Sequence, residues 1–251
     1  MNKTNLQPHI RCGMEDSVPY AILPGDPQRV MRIKEYLTDV EELAYNREYK
    51  SIRGKYKGTP IMAVSTGIGG ASTGIAVEEL HRIGVQYMIR IGSCGALQKN
   101  IHLGDLIMLN GTVRDEGTSC TYISQIYPAV PDTELLICCI KTAKEKNFCY
   151  HVGRGRSHDS FYTDDEEKID KFWASKGILG ADMETAALFV IGALRGIRTA
   201  SILNTVVESD GTLESDINTY VNGSNITKIG EEHEILTALE TFYKIEKGYS
   251  L

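Results

Sequence analysis

No run in the chain approaches the ~20 consecutive apolar residues of a membrane-spanning helix. Met1 to Pro8 is polar, without the apolar segment of a secretory leader. The protein is therefore expected in the cytoplasm. A basic excess is also missing, since 27 Lys and Arg face 33 Asp and Glu for a net charge of −6. That balance argues against a general nucleic-acid binder, which needs a cationic face, but leaves room for local cations around a small anion. The six cysteines, Cys12, Cys94, Cys120, Cys138, Cys139 and Cys149, include no Cys-x-x-Cys pair, so reduced thiols and no metal site are expected. Internal repeats and low-complexity linkers are absent too, and 251 residues suit a single domain spanning 1–251.

What is present is an alternation of apolar runs with helical patterns, which predicts an α/β fold with a mixed central sheet flanked by helices. Strands are expected at Tyr20 to Pro24, Ala44 to Ile52, Pro60 to Ser65, Tyr87 to Ile91, Asp105 to Val113, His151 to Gly155, Ile178 to Asp182 and Thr199 to Thr205. Helices are expected at Arg29 to Leu37, Ser72 to Ile83, Thr133 to Lys146, Asp164 to Ser175, Glu184 to Leu194 and Thr227 to Ile245. A turn at Gly54 to Gly58 joins the second and third strands, and the polar stretch Glu208 to Asn225 reads as a mobile loop.

The glycine-dense stretch from Ser65 to Leu80 says where a pocket is built. Gly67, Gly69 and Gly70 supply the backbone angles of a strand-to-helix turn beside a ligand, and Ser72 is placed to cap the helix. The turn does not fit the dinucleotide fingerprint, because Ser72 replaces the third glycine.

Four further clusters follow predicted strands, where open α/β sheets collect ligands. Gly25 and Arg29 follow the first, as an anion-binding turn or a loop with a surface arginine. Arg90 interrupts an apolar strand and needs an anionic partner, either a structural carboxylate or an anionic substrate beside Gly92, Ser93 and Gly95. Asp182, Met183 and Glu184 stand at a strand-to-helix junction, where carboxylates cap a helix or accept hydrogen bonds from a sugar diol. Phe161 and Tyr162 are core rings or a platform for a planar base, and His158 reads as a hydrogen-bonded loop histidine.

Together these residues resemble the nucleoside phosphorylase family of hexameric purine nucleoside phosphorylases and uridine phosphorylases. Besides Ser65 to Leu80, the matches are Pro8-His9-Ile10, Pro24 to Pro27, Tyr45 to Tyr49, Arg90 to Gly95, Asp159 to Tyr162 and Asp182-Met183-Glu184, between about Pro8 and Thr205. The resemblance implies that Gly25, Arg29, Arg90 and Ser93 hold inorganic phosphate, a co-substrate rather than a cofactor, with Arg47 from a neighbouring subunit. It implies ribose binding by Met183 and Glu184 with the neighbour's His9, and a base pocket at Phe161, Cys94, Gly95 and Asp182. The expected assembly is a homo-oligomer with shared active sites, a dimer at least and a hexamer of three dimers by family habit.

The implied reaction is attack of phosphate on the anomeric carbon as the base departs. Arg90 aims the phosphate and Asp210 serves the leaving base, although Glu208 fits the ungapped count after the last core strand. The Gln-x-Arg motif with which the best-known uridine phosphorylases read a pyrimidine is replaced by Thr163 to Lys168, so a purine ribonucleoside is the expected substrate and uridine the alternative. A nucleoside hydrolase and a non-catalytic nucleoside binder on the same fold are the other readings.

Overall fold

β1 (Tyr20–Pro24) is buried along its whole length and lies in the middle of a nine-stranded sheet. The computed structural model describes residues 5–211 and 225–248. The other strands are β2 (Thr38–Asn46), β3 (Tyr49–Tyr56), β4 (Thr59–Val64), β5 (Tyr87–Ala96), β6 (Leu106–Asp115), β7 (Tyr150–His158), β8 (Gly180–Asp182) and β9 (Arg198–Val207). The helices among the described residues are α1 (Pro27–Lys34), α2 (Gly70–Ile83), α3 (Gly117–Tyr122), α4 (Thr133–Glu145), α5 (Glu166–Ser175), α6 (Thr185–Leu194) and α7 (Asn225–Glu246). None is long and apolar enough to cross a membrane.

The strand order is β2-β3-β4-β1-β5-β8-β7-β6-β9, with β5 also paired to β9. That extra pairing closes β5, β8, β7, β6 and β9 into a ring, while β2, β3, β4 and β1 extend from it as an open wing. Parallel pairs (β1 with β4 and β5, β5 with β9) mix with antiparallel ones (β2 with β3, β6 with β9), as expected for a mixed sheet.

Side chains alternate across the sheet with the two-residue period of a strand. Ala21 and Leu23 face a core shared with α2 and α6, including Val77, Leu80 and Phe189. Tyr20 and Ile22 face a second core shared with α1, α4 and α7, including Val30, Cys139 and Phe242. Both sides of β1, and of β5 from Met88 to Gly92, are thus buried, and a charge placed there must find its partner inside the protein.

The run Ala44 to Ile52, expected as one strand, is two strands joined by a two-residue hairpin at Arg47 and Glu48, with Asn46 opposite Tyr49. Arg47 adopts a left-handed φ of 55°. Hairpin turns of this length favour Asn and Gly, so Arg-Glu carried no turn signal. Gly54, expected in the next turn, lies inside β3, and the chain turns at Lys57 and Gly58 instead. Ser72 does not cap α2; the helix begins at Gly70 behind Gly69, whose φ is 93°. The Ser72 hydroxyl donates back to the carbonyls of Ile68 and Gly69. β5 runs five residues past Ile91, so Gly92 to Gly95 belong to the strand and pair with β9. Most of the Glu208 to Asn225 stretch, residues 212–224, lies outside the described residues.

α7 packs closely on the sheet through a glycine. A Cβ on Gly230 would come within 2.1 Å of Asn204 Oδ1 and 2.7 Å of the Gly104 Cα. Ala is the better helix former by ~1 kcal/mol, but overpacking costs roughly 1–3 kcal/mol. Gly230→Ala is therefore expected to destabilise the protein on balance, read as a lower denaturation midpoint at unchanged slope; a rise in the midpoint would contradict this packing.

Candidate active site

The C-terminal ends of β1, β5, β7, β8 and β9 surround a cavity of about 680 Å³. Its walls bring together most of the residues singled out in the sequence: Gly25 and Arg29 after β1, Arg90, Ser93, Cys94 and Gly95 on β5, Phe161 beyond β7, and Asp182, Met183 and Glu184 at the start of α6. The size suits a small organic ligand.

Arg90 is 4% exposed and meets two carboxylates. Its Nε donates to Asp182 Oδ2 at 3.0 Å and its Nη2 to Glu184 Oε2 at 2.5 Å, while Nη1 is buried with no hydrogen-bond partner. Burial works against the charge, but Glu184 and Asp182 outweigh it and hold the guanidinium protonated. A Cβ on Gly92 would lie 2.5 Å from Arg90 Nη2, so only glycine leaves room for the fork. The partners that Arg90 needs are thus structural carboxylates on two of its nitrogens, and Nη1 is left over as a donor.

Asp182 and Glu184 divide the work. Asp182 accepts from Arg90 Nε, from the Thr185 amide at 3.0 Å, from the Thr185 hydroxyl at 2.6 Å and from Ser157 Oγ at 2.6 Å. Its side chain is wholly buried, and it fixes Arg90 and the first turn of α6. Glu184 accepts the Gly69 amide at 2.6 Å on Oε1, and burial pushes its carboxyl up while Arg90 pulls it back. The glycine turn after β4 therefore serves to present a backbone N–H to this carboxylate. Glu184 Oε1 retains a lone pair for a further hydroxyl.

Arg29 comes from α1, whose first turn is capped by the Asp26 carboxylate accepting from the Gln28 amide at 2.8 Å. Its Nη2 donates to Ser93 Oγ at 3.3 Å and its Nη1 to the Ile91 carbonyl at 3.4 Å. Its Nε donates to Glu231 at 2.9 Å, and Nη1 lies 3.2 Å from Glu234 Oε1. Glu231 and Glu234 belong to α7 and went unnoticed in the sequence. A signal existed: the helical spacing of Gly230, Ile235, Ala238 and Phe242 places both acids on the buried face, where a carboxylate needs a reason.

Cys94 is buried, and desolvation raises its thiol well above the usual range, leaving it neutral. Phe161 meets Tyr162 edge to face, with ring centres 5.0 Å apart. His158 donates from Nδ1 to the Ser160 carbonyl at 2.9 Å, and burial followed by the Arg156 charge lowers its pKa, so a neutral ring lines the cavity. A second cavity of about 600 Å³ adjoins the first, sharing Gly95, His158, Phe161, Ala181 and Val207, and is lined by acids that include Glu166, Asp170, Glu208 and Asp210. Glu208 accepts the Leu103 amide at 3.0 Å, whereas Asp210 is exposed on the turn after β9.

His9 and Arg47 do not line the cavity of their own chain. They are neighbours all the same, because Asn46 Nδ2 donates to the His9 carbonyl at 2.8 Å. Glu79 in α2 fixes that patch, taking the His9 amide at 3.0 Å, the Ile10 amide at 2.8 Å and His9 Nδ1 at 2.6 Å. Elsewhere, Asp105, Cys149 and His151 bring three potential ligand atoms within 4.8 Å of one another, but the Asp105 carboxylate is engaged by His151 Nε2 at 2.9 Å and the His102 amide at 3.0 Å.

The whole chain resembles known proteins. Residues 19–229 match the model of the phosphorylase superfamily. A guanosine phosphorylase of Halorubrum lacusprofundi is 42% identical over 78% of this chain and 81% of its own length. A uridine phosphorylase of Thermococcus kodakarensis is 40% identical over 78% and 76%. The crystal structure of a uridine phosphorylase from Vibrio fischeri superposes with a TM-score of 0.91 at 48% identity, covering 97% of this chain and 100% of that one. With its mixed sheet, its cavity at the strand ends and this likeness along most of its length, the chain belongs to the phosphorylase superfamily, among the nucleoside phosphorylases.

Proposed function

We propose that the protein cleaves the N-glycosidic bond of a nucleoside by phosphorolysis, with uridine as the substrate, releasing uracil and ribose 1-phosphate. The observation that carries the reaction class is Arg90, a buried guanidinium among the cavity-lining residues, with two nitrogens on carboxylates and a third, Nη1, without a hydrogen-bond partner. An anion seated between Arg90, Arg29, Ser93 and the backbone at Gly25 takes up that donor. Uridine is supported by the 48% identity to the Vibrio fischeri enzyme over nearly the full length of both chains. The purine expected from the missing Gln-x-Arg motif has less support. It stays as a second reading on one observation, the acidic lining of the adjoining cavity, which suits a base edge rich in N–H donors, together with the likeness to a guanosine phosphorylase.

The reaction asks little covalent chemistry of the protein. A phosphate oxygen attacks the anomeric carbon, the bond to the base breaks, and its electron pair leaves with the base nitrogen. Positioning of this kind can supply ~7–11 kcal/mol in favourable cases. Glu184 holds the ribose hydroxyls with its remaining lone pairs and places negative charge near the developing sugar cation. Met183 packs on the sugar, and Phe161, with Cys94 and Gly95, faces the base. Asp210 is the group assigned to the leaving base: it lines the adjoining cavity, while Glu208 there is tethered through Oε1 to the Leu103 amide and lies 3.4 Å from His102 Nδ1.

His9 and Arg47 complete the site from a neighbouring subunit in this reading. Their position supports it: they sit together on a patch stiffened by Glu79 and Asn46 and are not part of the lining of their own chain's cavity. A dimer is then the smallest active unit, and three such dimers make the hexamer usual in the family.

Three outcomes are expected. Uridine cleavage requires inorganic phosphate and yields ribose 1-phosphate; equal turnover in phosphate-free buffer would point to a hydrolase, and inosine or guanosine outpacing uridine would favour the second reading. Arg90→Lys keeps the charge but not the fork, so kcat/KM for phosphate falls about 10²–10³-fold, the range for removing one preorganised donor. Arg47→Ala and Glu184→Ala are each inactive alone, yet activity returns when the two subunits are co-expressed and assemble together, because one site of the mixed dimer is then intact; no recovery would place Arg47 in its own chain's site.

A further inference from the structure

Four carboxylates surround the two arginines of the cradle before any anion arrives. Asp182 and Glu184 hold Arg90, while Glu231 and Glu234 hold Arg29. Glu231 is shared, since Arg32 also binds it on both oxygens. Glu234 has no second cation in ion-pair contact among the described residues. It is wholly buried on α7, its Oε2 accepts the Gly92 amide at 3.0 Å, and its Oε1 faces Arg29 Nη1 at 3.2 Å with no hydrogen bond of its own. A phosphate dianion entering beside Arg29 and Arg90 must therefore approach a carboxylate that lies just behind them in a dry interior. Like charges in such a place repel strongly, and the cheapest relief is a proton on the one carboxylate that is weakly paired.

We propose that Glu234 is a positioning residue that couples phosphate binding to proton uptake: it holds the Gly92 amide and Arg29 in place, and it takes a proton when the anion is loaded. The proposal rests on phosphate being the anion of this site, as read above. The charged and titratable groups around Glu234 are Arg29 from α1, Arg90 and Cys94 from β5, and Glu231 from its own helix. Burial, set against Arg29 and reinforced by Glu231, pushes the Glu234 carboxyl up to about 8, so the proton is available in the neutral range. A phosphate beside it raises this further. The sign follows: phosphate binds well below that pH, where Glu234 is neutral, and less well above it, where the ionised carboxylate competes for Arg29.

The test is titration calorimetry of the intact protein with inorganic phosphate near pH 8, where free phosphate is already the dianion. It is run in two buffers of different ionisation enthalpy. Wild type is expected to take up about half a proton per phosphate bound. Glu234→Gln, which keeps an acceptor for the Gly92 amide, is expected to bind phosphate with no uptake. The variant's phosphate KM should likewise stay level between pH 7 and 9 relative to wild type, whose KM rises by up to about tenfold per pH unit. Phosphate binding to wild type without proton uptake would overturn the proposal, and that measurement needs no variant. Equal uptake in wild type and a folded Glu234→Gln protein would also overturn it, since the proton would then go elsewhere. Absence of phosphate binding altogether would overturn the anion site itself. A purely structural Glu234 would lower stability and leave both pH profiles parallel.

Discussion

A guanidinium inside a sheet is tolerable only among carboxylates, and the placement of Arg90 governs much of what lies around it. Around Arg90 β5 is buried on both faces, so the charge is kept from bulk water. Asp182 and Glu184 neutralise it from the start of α6, Gly92 leaves the room it occupies, and the Gly69 amide steadies Glu184 from the opposite wall. Removing Arg90 would leave two buried carboxylates without their cation, typically a loss of about 3–5 kcal/mol. The same arrangement that secures the fold leaves one donor, Nη1, unsatisfied. Stability and the proposed anion binding draw on a single side chain.

The layout of the sheet explains why so many strands contribute. β5 pairs with β1, β8 and β9, so their ends converge on one cavity. Each connection leaving that end delivers a short polar segment: Gly25 and Arg29 after β1, the junction at Asp182 to Glu184 after β8, and Glu208 to Asp210 after β9. α7 closes the other face and sends Glu231 and Glu234 through to Arg29. It reaches that depth because Gly230 lets it lie against Asn204 and Gly104.

Elements with a strong local signal were readable from the residues: β1 matches its expected bounds, and α4, α6 and α7 differ from theirs by two residues or fewer at either end. The hairpin at Arg47 and Glu48 was not, because an Arg-Glu turn in the left-handed region is held by β2–β3 pairing and not by its own preference. Ser72 looked like a cap by type, yet Gly69 starts α2 so that its amide can turn to Glu184. Asp182, at a helix start, accepts from Thr185 three residues on, as a capping carboxylate does, whereas its partners Arg90 and Ser157 are remote in sequence.

The sequence by itself determined the alternating α/β architecture, the residues capable of gripping an anion and a sugar, and the family whose motifs those residues match. Periodicity and residue type are local properties, and they survive without coordinates. Only the tertiary structure decided which carboxylate answers which arginine, because the partners of Arg29 lie 202 and 205 positions away on a helix whose acids look like an ordinary charged face. In a low-dielectric interior the worth of a charge is set by what stands within a few ångströms of it. That neighbourhood is a product of the closed sheet and the docked helix, not of the order of residues along the chain.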